Sequence, residues 1–418
     1  MENFMDNIMV EEAPDSMDLD ALLGLTDDVS SENGTKREDR VFQVMSKDDI
    51  EVEEPHIKIP TAKLIEVLNV SSLISSAGEN SFEGKVVAML VEKGVVRFLL
   101  SDNKRNIEKR VDILNKDNQF EGFIAFSTSL LSRLSKVCTS IFTLIERVGV
   151  ENDKETKKYI LAIRGGEVAL DLINMNRDKF DKAIDCRDGQ DYPSKEIVES
   201  IRRLYSYAST SIRSGKSLDF MGDYIQASPI NSLAKIKLSK SYPVFRLSLT
   251  DTKILSVLCG KDTSDKVKIS RDGKEFVGSN FKFKTESYQT TTPAYDSVVE
   301  RMFEGECVEI DERHLSQLTD LSCGLDTSVG TLRFNYTDDG LVSCTLLTKR
   351  EDSNLVIQGN PNEKVSKMDK GVDIPSFGLK GALSVFSSES ALLMRVTPDG
   401  VSFESDGIKV ALLGKQVK

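Results

Sequence analysis

"RVTPDGVSFESDGIKVALLG", residues 395–414, alternates apolar and polar side chains, turns at Asp399-Gly400, and alternates again almost to Gly414. Upstream, "LRFNYTDDGLVSCTLL", residues 332–347, repeats the arrangement around Asp339-Gly340. Strict alternation marks a half-buried strand, and Asp-Gly supplies the positive φ that a tight hairpin needs. Four more stretches read alike: "VEKGVVRFLL" (91–100), "LAIRGGEVAL" (161–170), "LDFMGDYIQA" (218–227) and "ISRDGKEFVG" (269–278). One such hairpin is ordinary. Six at regular spacing indicate an internal repeat.

Ahead of each hairpin lies a segment with helical spacing. These are "TAKLIEVLNVSSLI" (61–74), "STSLLSRLSKVCTS" (127–140), "PSKEIVESIRRLYSYA" (193–208), "LTDTKILSVLCG" (249–260), "DERHLSQLTDLSC" (311–323) and "PSFGLKGALSVFSS" (375–388). Most open on Ser, Thr, Asp or Pro, residues that cap a helix or occupy its first turn. In the first, Leu64, Val67 and Leu68 share an apolar face; in the third, Ile197, Ile201 and Leu204 do. Units of about 55–70 residues are too short to stand alone, so they are expected to pair into three domains. The expected fold is α+β, each domain combining two helix-plus-hairpin units.

The chain has 418 residues with 39% apolar and 29% charged, which suits a soluble globular protein with a sizeable core. Its net charge of −12 is unevenly placed. Residues 1–56 hold 17 acids and 4 bases, leaving 50 acids and 51 bases in the rest. That acidic segment has too little apolar surface to offset its ordering entropy and is expected to be a disordered tail. Within it "MDLDALLGL" clusters Met17, Leu19, Leu22, Leu23 and Leu25, a candidate docking motif. No apolar run is long enough for a membrane span, and the acidic start does not fit a signal peptide, so a cytoplasmic setting is expected.

Enzymatic chemistry finds little support. Cysteines 138, 186, 259, 307, 323 and 344 lie far apart with no Cys-x-x-Cys pair, so they read as reduced thiols. Only His56 and His314 are present, too few for a histidine metal centre. There is no P-loop and no Gly-x-Ser-x-Gly elbow, and no metal or cofactor is expected. Outside the apolar faces, the helices carry Lys63, Arg133, Lys136, Lys195, Arg202, Arg203, Lys253 and Lys380. The fifth helix adds Arg313 but also Asp311, Glu312 and Asp320, so the excess of bases over acids is small.

This arrangement resembles the bacterial sliding clamp, the β subunit of DNA polymerase III, over residues 57–418. "GFIAFSTSLLSRL" (122–134) is similar to the strand and second helix of the family's first domain, and "LAIRGGEVALDLINMNRDKF" (161–180) to the hairpin after it. "FKFKTESYQTTTPAYDSVV" (281–299) resembles the end of the second domain, and "ECVEIDERHLSQL" (306–318) the opening of the third. The resemblance implies three tandem clamp domains at 57–190, 191–302 and 303–418, with sheets outside and helices lining a ring. It implies a divergent clamp of bacterial or phage origin that encircles duplex DNA without sequence preference and tethers a DNA polymerase, with a clamp loader as a further partner. Lys104, Arg105, Arg213 and Lys216 would join the helix bases in facing phosphates. A peptide groove would be formed by Ser228, Ile230, Leu233, Leu255, Leu412 and Leu413. Ser16 and Asp20 depart from the peptides that such grooves take.

Geometry sets the stoichiometry. Six helices about 10 Å across, side by side in a closed circle, leave an opening of roughly 9 Å, whereas twelve leave roughly 28 Å, enough for a duplex. The expected assembly is therefore a head-to-tail dimer, closed through heterologous sheet edges. A clamp-derived adaptor that recruits transcription or repair machinery through the acidic tail is the alternative. A repetitive structural protein would show hairpins but would not need an amphipathic helix in every unit.

Overall fold

The computed structural model describes residues 53–75, 83–102, 104–115, 117–136, 140–151, 154–163, 166–209, 216–229, 231–286, 296–323, 330–336, 342–347, 352–357, 360–361, 371–386 and 391–417. The tail motif at Met17, Leu19, Leu22 and Leu23, and also Arg213 and Ile230, lie outside them. Pro55 accepts a hydrogen bond from Glu146 N at 2.8 Å, and His56 opens the first strand.

Six copies of one unit follow, each a strand, a helix and three antiparallel strands. The helices are α1 (Thr61–Ser75), α2 (Thr128–Ser135), α3 (Ser194–Ser209), α4 (Leu249–Gly260), α6 (Glu312–Cys323) and α7 (Ser376–Ser384). Between the fourth and fifth units lies a short extra helix, α5 (Asp296–Arg301). All six expected helices form within a few residues of their sequence positions. The unit is larger than helix plus hairpin: each gains a leading strand and one more strand, which follows the expected hairpin in five units and precedes it, as Ile141–Glu151, in unit two. Four hairpin glycines have positive φ, at Gly94, Gly222, Gly273 and Gly400. The Asp339-Gly340 turn falls outside the described residues.

The sheets do not respect the units. An eight-stranded sheet joins the third strand of unit one, Asn106–Asp112, to that of unit four, Phe281–Lys284, with Ile107 opposite Phe283. A nine-stranded sheet joins the corresponding strand of unit three, Ser232–Lys237, to that of unit six, Ile408–Leu413, with Ala234 opposite Val410. Ile107, Phe283, Ala234 and Val410 are all buried, so the core continues across both seams. The two remaining sheets have four and five strands and end in the third strands of units two and five, Gly166–Leu170 and Asp352–Ile357.

Between those two seams an aromatic series links the long sheets. Tyr192, Tyr242, Phe220, Phe245, Phe276 and Phe283 follow one another with successive ring centroids 4.1, 5.7, 4.4, 5.9 and 5.6 Å apart. Such stacked and edge-on contacts add to the apolar burial of each ring. The connector after Leu170 lays Phe180 over Val86, Ala88, Leu90 and Leu99. It is pinned by Arg97, which donates at 2.8 Å to both Glu108 and Asp181. Burial would lower the Arg97 pKa, but these carboxylates more than offset it and raise it.

Candidate nucleic-acid and partner interface

The helices touch in a single row, α2 on α1, α1 on α4, α4 on α3, α3 on α7 and α7 on α6. Amphipathic spacing explains how α3 joins it: Ile197, Ile201, Leu204, Tyr207 and Ala208 are buried while Lys195 and Arg202 are exposed. Arg133, Lys136 and Lys380 are likewise exposed on their helices. Lys63 is held by Glu66 at 2.8 Å, and Arg203 is half-buried with Glu199 at 3.6 Å. Lys104 and Lys216 are exposed beside the row.

Two expected outward cations are not outward. Lys253 is buried, its ammonium 5.8 Å from the Tyr205 ring centroid. The reason is tertiary: α4 is flanked by α1 and α3, so Leu249 and residues 251–259 are all buried. Arg105 is 6% exposed and forms ion pairs of 2.9 Å with Asp102 and 2.5 Å with Asp251. Asp251 sits in the first turn of α4, where its amide donates to the capping Ser248 hydroxyl. Arg105 therefore ties unit one to unit four and cannot reach a phosphate.

The expected groove residues divide in the same way. Leu255 is fully buried in the core and lines no open surface. Leu233 and Leu412 are buried, Leu413 is partly exposed, and Ser232 stands opposite Leu412 across the seam. Ser228 is half-buried, and its hydroxyl has no hydrogen-bond partner among the described residues.

A further set of residues joins them from α5. Val299 and Met302 are buried against Leu233 and Ala411, with Phe303 and Leu413 packed at the margin. The Ser402 hydroxyl donates to Met302 O at 2.6 Å. Lys235 fixes the helix, donating at 2.9 Å to Asp296 and 2.6 Å to Glu300, with the Tyr224 ring 4.9 Å away. Burial works to lower the Lys235 pKa, but Glu300 and Asp296 raise it overall. This contribution is therefore complete below the ordinary value of 10.5 and fades only as pH rises through the higher folded value. Lys235→Met is expected to cost about 1–3 kcal/mol, because Asp296 and Glu300 retain partial solvent contact. Urea unfolding measures the loss, and amides 296–302 should exchange faster with solvent.

Six strand–helix–three-strand units, with sheets shared between them and helices in one row, define the sliding-clamp fold. Solved structures with this fold include the DNA polymerase sliding clamp of Pseudomonas aeruginosa, at 15% identity over 87% of this chain and 99% of that one, TM-score 0.67. The C. crescentus beta sliding clamp aligns at 10% identity over 87% and 100%, TM-score 0.68. The DNA polymerase III beta subunit of Thermotoga maritima aligns at 10% identity over 87% and 100%, TM-score 0.67. No family profile matches the sequence, and no curated protein does. At such identities the likeness speaks for the fold. Among the described residues, no helix is long and apolar enough to cross a membrane.

Proposed function

We propose that this protein is a non-enzymatic DNA sliding clamp, acting by encircling duplex DNA and tethering a polymerase. The observation that carries it is the pair of leftover strand edges. Units one and four, and units three and six, join third strand to third strand within the chain. Units two and five present the same strand, Gly166–Leu170 and Asp352–Ile357, as the last of its sheet, with no further strand beside it among the described residues. A second copy arranged head to tail satisfies both edges by the same antiparallel pairing. It also sets α2 of one copy beside α6 of the other, giving a closed row of twelve helices.

Within that ring, domains at 57–190, 191–302 and 303–418 each hold two units. Lys63, Arg133, Lys136, Lys195, Arg202 and Lys380, with Lys104 and Lys216 on loops, attract phosphates weakly and without sequence preference, as sliding requires. Polymerase and loader peptides dock at the seam cluster around Leu233, Leu413 and Phe303. A cytosolic replisome is the setting.

The test is topological. Loaded by its cognate loader onto a nicked circular plasmid, the protein is expected to stay bound through gel filtration and to be lost once the plasmid is linearised. Equal retention on both forms would end the proposal. The double variant Lys195→Glu, Arg202→Glu is expected to reduce the salt slope of direct binding by about 2.

A further inference from the structure

The third strand of unit one buries a charge at the first seam. Lys109 is 4% exposed, and its ammonium donates to Asn280 Oδ1 of unit four at 2.5 Å. An ammonium has three N–H donors, and this bond uses one of them. Burial pushes the Lys109 pKa down, and Glu66 is the strongest of the charges that oppose the shift. Glu66 lies on α1 and is half-buried. Its Oε1 accepts from Lys63 at 2.8 Å, while Oε2 is buried and has no hydrogen-bond partner among the described residues. Charged groups out of contact with solvent are costly to leave without partners.

Glu66 and Lys109 line the same small cavity, between α1 and α4 over the seam. Val67 and Val70 from α1 and Leu258 from α4 form much of its apolar wall, and Lys261, half-buried just after α4, is its remaining polar residue. The space open to the centre of a water molecule is about 10 Å³. That is close to the requirement of one water and far below that of an organic ligand. The second seam has no counterpart. Lys109 stands opposite Phe281, and Ile236 opposite Ile408. The next amides, Arg110 N and Lys237 N, donate at 2.8 Å to Asn280 O and Gly407 O. Where the first seam has Lys109 and Asn280, the second has Ile236 and Gly407, which bury no charge.

We propose that the cavity is a binding site for one water molecule, which accepts from Lys109 Nζ and donates to Glu66 Oε2. A single water gives the carboxylate oxygen its partner and takes up a spare ammonium donor, so the two charges are joined without touching. The line of bonds then runs from Lys63 and Glu66 on α1, through the water, to Lys109 and on to Asn280 in the turn of unit four. The water is a structural part of the first seam and ties its helix layer to its strand layer.

A crystal structure of the full chain is expected to show one ordered water within about 3.2 Å of both Lys109 Nζ and Glu66 Oε2. Urea unfolding supplies a second reading. Lys109→Met and Glu66→Leu are each expected to lower the folding equilibrium constant about tenfold, because each leaves the other group unpaired. Combined, they should lose far less than the roughly hundredfold that independent effects give, since the water and both its partners are then gone. Direct contact between Nζ and Oε2, a cavity without water density, or additive losses in the double variant would each overturn the assignment.

Discussion

Gly400→Ala is expected to remove about 3–5 kcal/mol of stability, through backbone strain and overpacking together. Gly400 opens the second strand of the last hairpin at φ +152°, which a side chain rarely tolerates. An added Cβ would stand 2.0 Å from Leu412 O, 2.8 Å from Met302 Cε and 3.0 Å from Gly414 N. Two of these are backbone atoms, and neither can yield. Val401 pairs with Leu412, Leu413 N donates to Asn231 O, and Gly414 N donates to Asp399 O. The companion Gly407→Ala has φ +79° but meets only Lys237 Cβ at 3.4 Å, so about 1–2 kcal/mol is expected from backbone handedness alone. Urea denaturation of both variants decides the matter. Equal losses would mean that the close approach at Leu412 is not what requires glycine.

In the head-to-tail dimer proposed above, Ala169→Pro is expected to leave a folded single chain. Strand Gly166–Leu170 pairs inward with Tyr159–Ile163, with Gly166 opposite Ile163 across a two-residue turn. In such a ladder hydrogen-bonded pairs alternate, which turns the amides of Glu167 and Ala169 toward the open edge. Proline at 169 therefore removes an outward donor and spares the inner ladder, which edge strands tolerate. Val168→Pro, one residue away, strikes the inner ladder and should destabilise the fold instead. Sedimentation equilibrium gives the mass directly. A two-chain mass for Ala169→Pro, with unchanged melting, would place the contact between copies elsewhere.

Local periodicity carried much of the architecture. The faces of α1 and α3 were legible because Leu64, Val67 and Leu68, and Ile197, Ile201 and Leu204, fall at helical spacing and are all buried. One hairpin in each unit was legible from its glycine, whereas those joining Val95–Ser101 to Asn106–Asp112 and Ile141–Glu151 to Lys154–Ile163 turn without glycine and gave no such signal. What escaped was set by contacts between distant residues. Arg105 looked like a loop cation, and its partner Asp251 lies 146 positions away. Lys253 looked outward because a helix enclosed by two neighbours has no solvent face to obey. Leu255 looked like groove for the same reason, on a helix buried all round. Helix α5 has six residues, too few for a period, so Val299 and Met302 gave no signal before the fold brought them onto Leu233.

The continuous sheets have a mechanical consequence. Each seam inside the chain is bonded in two layers, strands 106–109 with 281–284 above α1 against α4, and strands 232–236 with 408–412 above α3 against α7. Two bonded layers separated by a core resist flexing in either direction, as the flanges of a beam do. In a closed assembly of two copies, compliance would concentrate at the two joints between chains, where no covalent connector crosses. A force applied anywhere on one copy would be carried through its stiff body and spent at a joint. Opening would be a property of the joints alone, and substitutions deep inside a copy could alter its stability without altering how readily it opens.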